Sequence, residues 1–171
     1  ENSLTEDVDV AIYYGRGRWP NIHADKLHTE YLIPVCSPLL LQEATASGKP
    51  PLLSLDDLQH HTLLHDTSRK DWKRWFKETN VKAVNVNHGP IFSHSAMVVQ
   101  AAVHGQGVAL AQSVFAKPEL EAGRLVNLFD QKLISKNAFY IVCREHQFDV
   151  GKIAAFREWV LATVAEEEQE E

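Results

Sequence analysis

Cysteine is nearly absent from this chain: Cys36 and Cys143 are the only two in 171 residues. Both stand in apolar, strand-like runs, so reduced and buried thiols are expected rather than a disulfide framework. Long hydrophobic runs are missing as well, the longest being a handful of residues against the ~20 that a membrane-spanning helix needs. The first nine residues are acidic and polar, with neither a basic start nor an apolar centre, so no signal peptide is read there and a cytoplasmic location is expected. Positive charge is in deficit, 17 Lys and Arg against 23 Asp and Glu for a net −6. Phosphate contacts need clustered cations, which argues against nucleic-acid binding by this chain itself. No initiator methionine stands at the start, and Glu1 to Asp7 leads straight into a strand, which reads as a fragment.

What is present is a globular composition, 44% hydrophobic and 23% charged, enough for one solid domain or two small lobes. Val8 to Tyr14 reads as a strand of a covered parallel sheet, followed by the turn-rich Gly15-Arg16-Gly17-Arg18-Trp19-Pro20. Leu27 to Cys36 is a second strand region, in which Pro34 suggests an edge or bend. A short helix is expected over Leu39 to Ala44, and Ser54 with Asp57 forms a capping-box variant. Thr62 to His65 is a short strand, and Trp72, Trp75, Phe76 and Thr79 share one face of the helix that follows. Val81 to Val86 alternates as a strand. A small-residue helix then begins near Ser93-His94-Ser95 and stops at Gly105, before a buried strand from Val108 to Ala111. A helix over Lys117 to Gly123, strands at Leu125 to Phe129 and Ala138 to Cys143, and a last helix with Ile153, Phe156, Trp159, Val160 and Val164 inward complete the order. Asp149 is read as that helix's cap and Glu166 to Glu171 as a frayed tail. Strands alternating with helices imply a mostly parallel α/β arrangement.

Chemistry is sparse. Gly105-Gln106-Gly107 is no dinucleotide fingerprint, because the helix precedes it, the strand follows it, and Leu110 stands where a third glycine belongs. His60, His61 and His65 lack the partners of a metal site. No nucleophile elbow surrounds Ser93 or Ser95, and neither cysteine adjoins a positive loop, so catalysis is not expected. Ligands of open parallel sheets gather beyond the carboxyl ends of strands, which singles out Tyr14, Arg16 and His65 by position. Trp72, in the first turn of its helix, is expected to wall a pocket. One serine suffices to cap the helix at Ser93-His94-Ser95, so the second hydroxyl points to ligand contact.

The runs Asp7-Val8-Asp9-Val10-Ala11-Ile12, Tyr31-Leu32-Ile33-Pro34-Val35-Cys36-Ser37-Pro38, Gly105-Gln106-Gly107-Val108-Ala109-Leu110 and Ala122-Gly123-Arg124-Leu125-Val126 together resemble the effector-binding domain of LysR-type transcriptional regulators over nearly the whole chain. That resemblance implies a periplasmic-binding-protein-like fold of two Rossmann-like α/β lobes with the effector in the cleft between them. Residues 1–31 and 138–171 would form a first lobe, incomplete on its N-terminal side, and 32–137 the second, crossover strands included. By the same resemblance Arg16, Ser93, Ser95 and Tyr140 are the leading effector contacts, with Tyr14, His65 and Trp72 as walls. Gln112 stands where many relatives have proline, without an evident consequence. The resemblance further implies a glycine- or purine-related effector, DNA contact only through a winged helix-turn-helix outside this chain, a homo-oligomer in the full-length protein, a separate repressor protein as possible partner, and no cofactor or metal. A solute-binding protein of a transporter is the alternative; an enzyme on the same fold would need a catalytic constellation that is not found.

Overall fold

The structure, a computed structural model, describes residues 4 and 8–170, with the backbone alone for 167–170. The opening residues read as a fragment's start therefore lie, Leu4 excepted, outside the described residues, as does Glu171. The chain divides into two compact units, one split in sequence (Glu1–Glu30 with Ser135–Glu171) and one continuous (Tyr31–Ile134).

In chain order the elements are β1 (Val10–Gly15), β2 (Ile22–Lys26), β3 (Tyr31–Cys36), α1 (Pro38–Ala46), β4 (Leu63–Asp66), α2 (Lys70–Glu78), β5 (Ile91–Phe92), α3 (Ser95–Val103), β6 (Val108–Gln112), α4 (Ser113–Glu121), β7 (Val126–Asn127), β8 (Leu133–Ile134), β9 (Ala138–Arg144) and α5 (Gly151–Glu170). Ser37 caps α1 by accepting the Leu39 N–H, with Pro38 in the first turn where its missing donor costs nothing. Asp57 accepts from the Ser54 hydroxyl and backbone, starting the 3-10 turn Leu55–His60.

The split unit is a three-stranded sheet in the order β1-β9-β2, both pairings antiparallel, with α5. This corrects the parallel reading of β1: its neighbour comes from the far end of the chain and runs the other way, and Ile12 on β1 is 62% exposed rather than covered. β2 was not foreseen, because His23, Asp25 and Lys26 hide the alternation. The inward stripe of α5 is narrower than expected: Ile153 is buried, whereas Phe156 and Trp159 are exposed and pack on each other. The helix also runs on through Glu170 instead of fraying at Glu166.

The continuous unit is a six-stranded sheet, β5-β4-β6-β3-β7 with β8 also on β3. Only β4 pairs in parallel, with β5 and β6; β3 runs antiparallel to β6, β7 and β8. The two faces of β6 enter different cores. Val108 and Leu110 meet Trp72, Trp75 and Phe76 of α2, while Ala109 and Ala111 meet Val98, Val99, Ala101 and Ala102 of α3 and Ala116 of α4. The period-two alternation of a strand thus makes a helix–sheet–helix sandwich. Pro34 lies in this interior rather than at an edge. Its carbonyl accepts from Leu128, and nitrogen and carbonyl of a strand residue face the same neighbour, so its missing donor falls in the gap between β8 and β7. Val81, Val84 and Val86 form no strand; their side chains rest on the tryptophan core, and the Val81 N–H donates to the Phe76 carbonyl. α4 begins four residues before the expected Lys117 and carries Pro118 inside it. Both cysteines are free and buried, and burial pushes the Cys36 thiol up to about 12.

Candidate functional site

Three elements of the continuous unit end side by side. β4 closes at Asp66, β6 at Gln112, and α3 opens at Ser95, three residues after β5. Because β4 is parallel to both β5 and β6, their carboxyl ends face one way, the edge at which open α/β sheets collect ligands. Here the Ser95 hydroxyl donates to Asp66 Oδ2 at 2.5 Å, and the Gln112 amide donates to Ser95 Oγ at 3.2 Å and to the same Asp66 oxygen at 3.5 Å. A carboxylate only accepts, so the amide nitrogen must face it and the amide oxygen must turn away. Two buried oxygens, Asp66 Oδ1 and Gln112 Oε1, have no donor.

The expected cap at the start of α3 is not made by either serine. The N-cap residue is His94, with no side-chain hydrogen bond to the helix. Ser95 is turned to Asp66, and the exposed Ser93 hydroxyl bonds His94 Nδ1 at 2.8 Å. The first turn of α3 keeps its backbone N–H groups, and the positive end of its dipole, uncapped by side chains.

His65 holds the approach to this helix. Its ring is fully buried, and Nε2–H donates to the His88 carbonyl at 2.7 Å, which fixes the tautomer and leaves Nδ1 without a partner. Burial is the main cause holding the ring below the ordinary histidine range; the His88 carbonyl pulls the other way and the Arg69 charge adds to the depression. Arg69 donates to the Gly89 carbonyl at 2.9 Å. Gly89 itself has φ +93°, and a Cβ there would stand 1.9 Å from the Leu63 carbonyl oxygen, so only glycine lets this loop lie against β4.

Of the seven residues expected from the sequence, Ser95 and His65 thus lie at this strand-end region, His65 as a buried prop, and Ser93 is on the exposed side of the helix start. Trp72 is corrected from pocket wall to core: it is 1% exposed, stacks on Phe76 at 5.2 Å and donates its indole N–H to the Leu64 carbonyl at 2.9 Å. Its helix begins at Lys70, so its ring falls on the inward face with Trp75 and Phe76. The other three belong to the split unit. Tyr140 pairs with Tyr13 across β1 and β9 and meets Trp19 edge-on, whereas Tyr14 pairs with Phe139 in the next register position. Successive strand residues face opposite ways, so Tyr14 and Tyr140 occupy opposite faces of that sheet. Arg16 is exposed just past β1.

Asp66 and Gln112 escaped the sequence reading. Both end strands, and the positional argument that singles out His65 applies to them equally. A shallow groove of about 350 Å³ beside α3, lined by Phe92, Met97, Gln100 and His104 among others, includes none of the seven expected residues. Among the described residues no group of three or more His, Cys, Asp and Glu could hold a metal ion, and no helix is long and apolar enough to cross a membrane.

Residues 1–165 match the family described as the LysR substrate binding domain. The chain is 57% identical over 169 residues to the glycine cleavage system transcriptional activator of Escherichia coli (strain K12), covering 99% of this chain and 54% of that protein. It is 37% identical over 170 residues to the glycine cleavage system transcriptional activator homolog of Haemophilus influenzae, with 99% and 54% covered. The effector domain of the transcriptional regulator AmpR of Pseudomonas aeruginosa superposes with a TM-score of 0.76 over 98% of this chain and 79% of that one, at 26% identity. The chain spans about half the length of the curated relatives it matches.

Proposed function

We propose a function from one premise: the chain belongs to the LysR substrate-binding-domain family. It serves as the effector-sensing part of a regulator whose full-length form activates glycine cleavage genes. The support is the 57% identity to an activator of that name along 99% of the chain. Relatives and solved neighbour alike are named as regulators or activators, which favours this reading over a transporter's solute-binding protein and gives no support to an enzyme. DNA contact and homo-oligomer assembly belong to the full-length protein, with a separate repressor protein as a further partner.

The observation that carries effector binding is the polar cluster of Asp66, Ser95 and Gln112 at the carboxyl ends of parallel strands beside an uncapped helix start. The effector is glycine or a purine-related molecule. It acts by binding two conformations of the regulator with different affinity, without which no ligand shifts an equilibrium. Calorimetric titration of the full-length protein with glycine and with hypoxanthine tests this. Heat of binding from one of them, weakened about tenfold or more by Ser95→Ala, is the expected result, since a bond to a charged group is at stake. Absence of binding by both, with no change in DNA occupancy, overturns it. Tyr14, Arg16, Ser93 and Tyr140 remain proposed contacts for alanine substitution in the same assay; Trp72 does not.

A further inference from the structure

We propose that Asp66 and Gln112 form a subsite for a protonated primary amine, so that the effector is recognised by its ammonium group; this rests on the effector-domain reading above. The argument is one of unmet valence. Ser95 and Gln112 spend their donors on Asp66 Oδ2, which leaves Asp66 Oδ1 and Gln112 Oε1 as buried acceptors with nothing to accept. Gln112 is only 7% exposed, and a buried acceptor without a donor is costly enough that such atoms are rare outside functional places. What completes the set must bring donors. An ammonium group does so with three N–H bonds and a charge opposite to the carboxylate.

Among the described residues of this unit no Lys or Arg forms an ion pair with Asp66. Arg69, three positions on, gives its Nη2 to the Gly89 carbonyl and keeps a buried Nε–H that reaches no acceptor, neither open oxygen included. The His65 ring spends its N–H on His88, and burial keeps it from bringing a second. The uncapped first turn of α3, opening at Ser95, offers the opposite preference within the same cluster, so a molecule carrying an ammonium beside a carboxylate suits both ends. A neutral purine base brings N–H donors but no positive charge to set against the carboxylate.

The test is titration calorimetry on the full-length protein with glycine, glycolate, methylammonium and hypoxanthine. Glycolate replaces the ammonium by a hydroxyl at nearly equal size. Glycine is expected to bind, glycolate at least about tenfold more weakly, and both Asp66→Asn and Gln112→Leu to weaken glycine by about tenfold or more. The glycine-to-glycolate ratio is read on the unaltered protein, so it stands even where a variant folds poorly; circular dichroism melting checks the variants. Glycolate binding as well as glycine, or glycine unaffected by folded Asp66→Asn, overturns the proposal. Hypoxanthine binding with glycine silent overturns it while leaving the effector-domain reading intact. Silence from all four with unchanged DNA occupancy overturns both.

Discussion

Two part-buried clusters built around a carboxylate, Asp25 in the split unit and Asp66 in the continuous one, are finished to different degrees. In the split unit every nitrogen of Arg157 is engaged: Nε donates to Asp25 at 2.8 Å, Nη2 reaches Asp25 and His23, and Nη1 donates to the Phe148 carbonyl at 2.8 Å. His23 stacks on Phe148, closing the side of the cluster. In the continuous unit Asp66 has donors from Ser95 and Gln112 but no cation, and two oxygens stay open. A cluster that satisfies itself can be explained by folding alone. One that holds donors and acceptors in register yet leaves acceptors over cannot, and that contrast, more than the presence of charge, marks the second as the place for a ligand.

The largest effect expected from this contrast is on the finished cluster. Arg157→Met leaves Asp25 part-buried without its partner and is expected to cost about 3 kcal/mol of unfolding free energy, measured by urea titration, while glycine affinity of the folded protein stays the same. A variant of unchanged stability whose ligand affinity falls would reverse the roles assigned to the two clusters.

Trp72→Phe comes next and bears on a residue that the sequence placed on the wrong side of the contrast. Its indole N–H is spent on Leu64, so the change removes one buried hydrogen bond and part of a packed ring, together about 1–2 kcal/mol. Effector affinity should not change. A tenfold loss of affinity at unaltered stability would restore Trp72 as a ligand wall.

The errors and successes of the sequence reading have the same root. Periodicity and punctuation were legible: the α3 run stopped by Gly105 with φ +71°, the α2 face of Trp75 and Phe76, and the strand at Ala138 to Cys143 all follow from local pattern. Pairing direction was not, because β1 and β9 are joined by 122 residues of intervening chain and nothing in Val10–Gly15 states which way its partner runs. The site divided likewise. Ser95 was visible as a hydroxyl surplus to capping, but its partners lie 29 and 17 positions away, and Gln112 gains its meaning only when β6 is set beside β4. A first-turn position alone puts Trp72 near the preceding loop, but the helix phase sets its ring with Trp75 and Phe76.

The smallest effect concerns pH and asks whether His65 belongs with the finished groups or the open ones. His65 and His61 both titrate below the ordinary histidine value of 6.5, burial being the first cause in each. With the folded pKa lowered, the unfolded chain binds more protons just below pH 6.5, so stability is fully present above that value and is lost as pH falls through the folded pKa, by at most about 1.4 kcal/mol per pH unit for each ring. Asp57 and Glu119, whose pKa values are lowered by hydrogen bonds from Ser54 and Arg124, lose their contribution only below about pH 4. Urea midpoints between pH 5 and 7 therefore report mainly the histidines. His65→Gln keeps a donor for the His88 carbonyl but does not titrate, and is expected to flatten part of that slope. An unchanged slope would mean that His65 takes up its proton in the folded state without penalty; a charged ring would then stand next to Asp66 in the chain, and the acceptors left open for an ammonium group would already have a cation of their own.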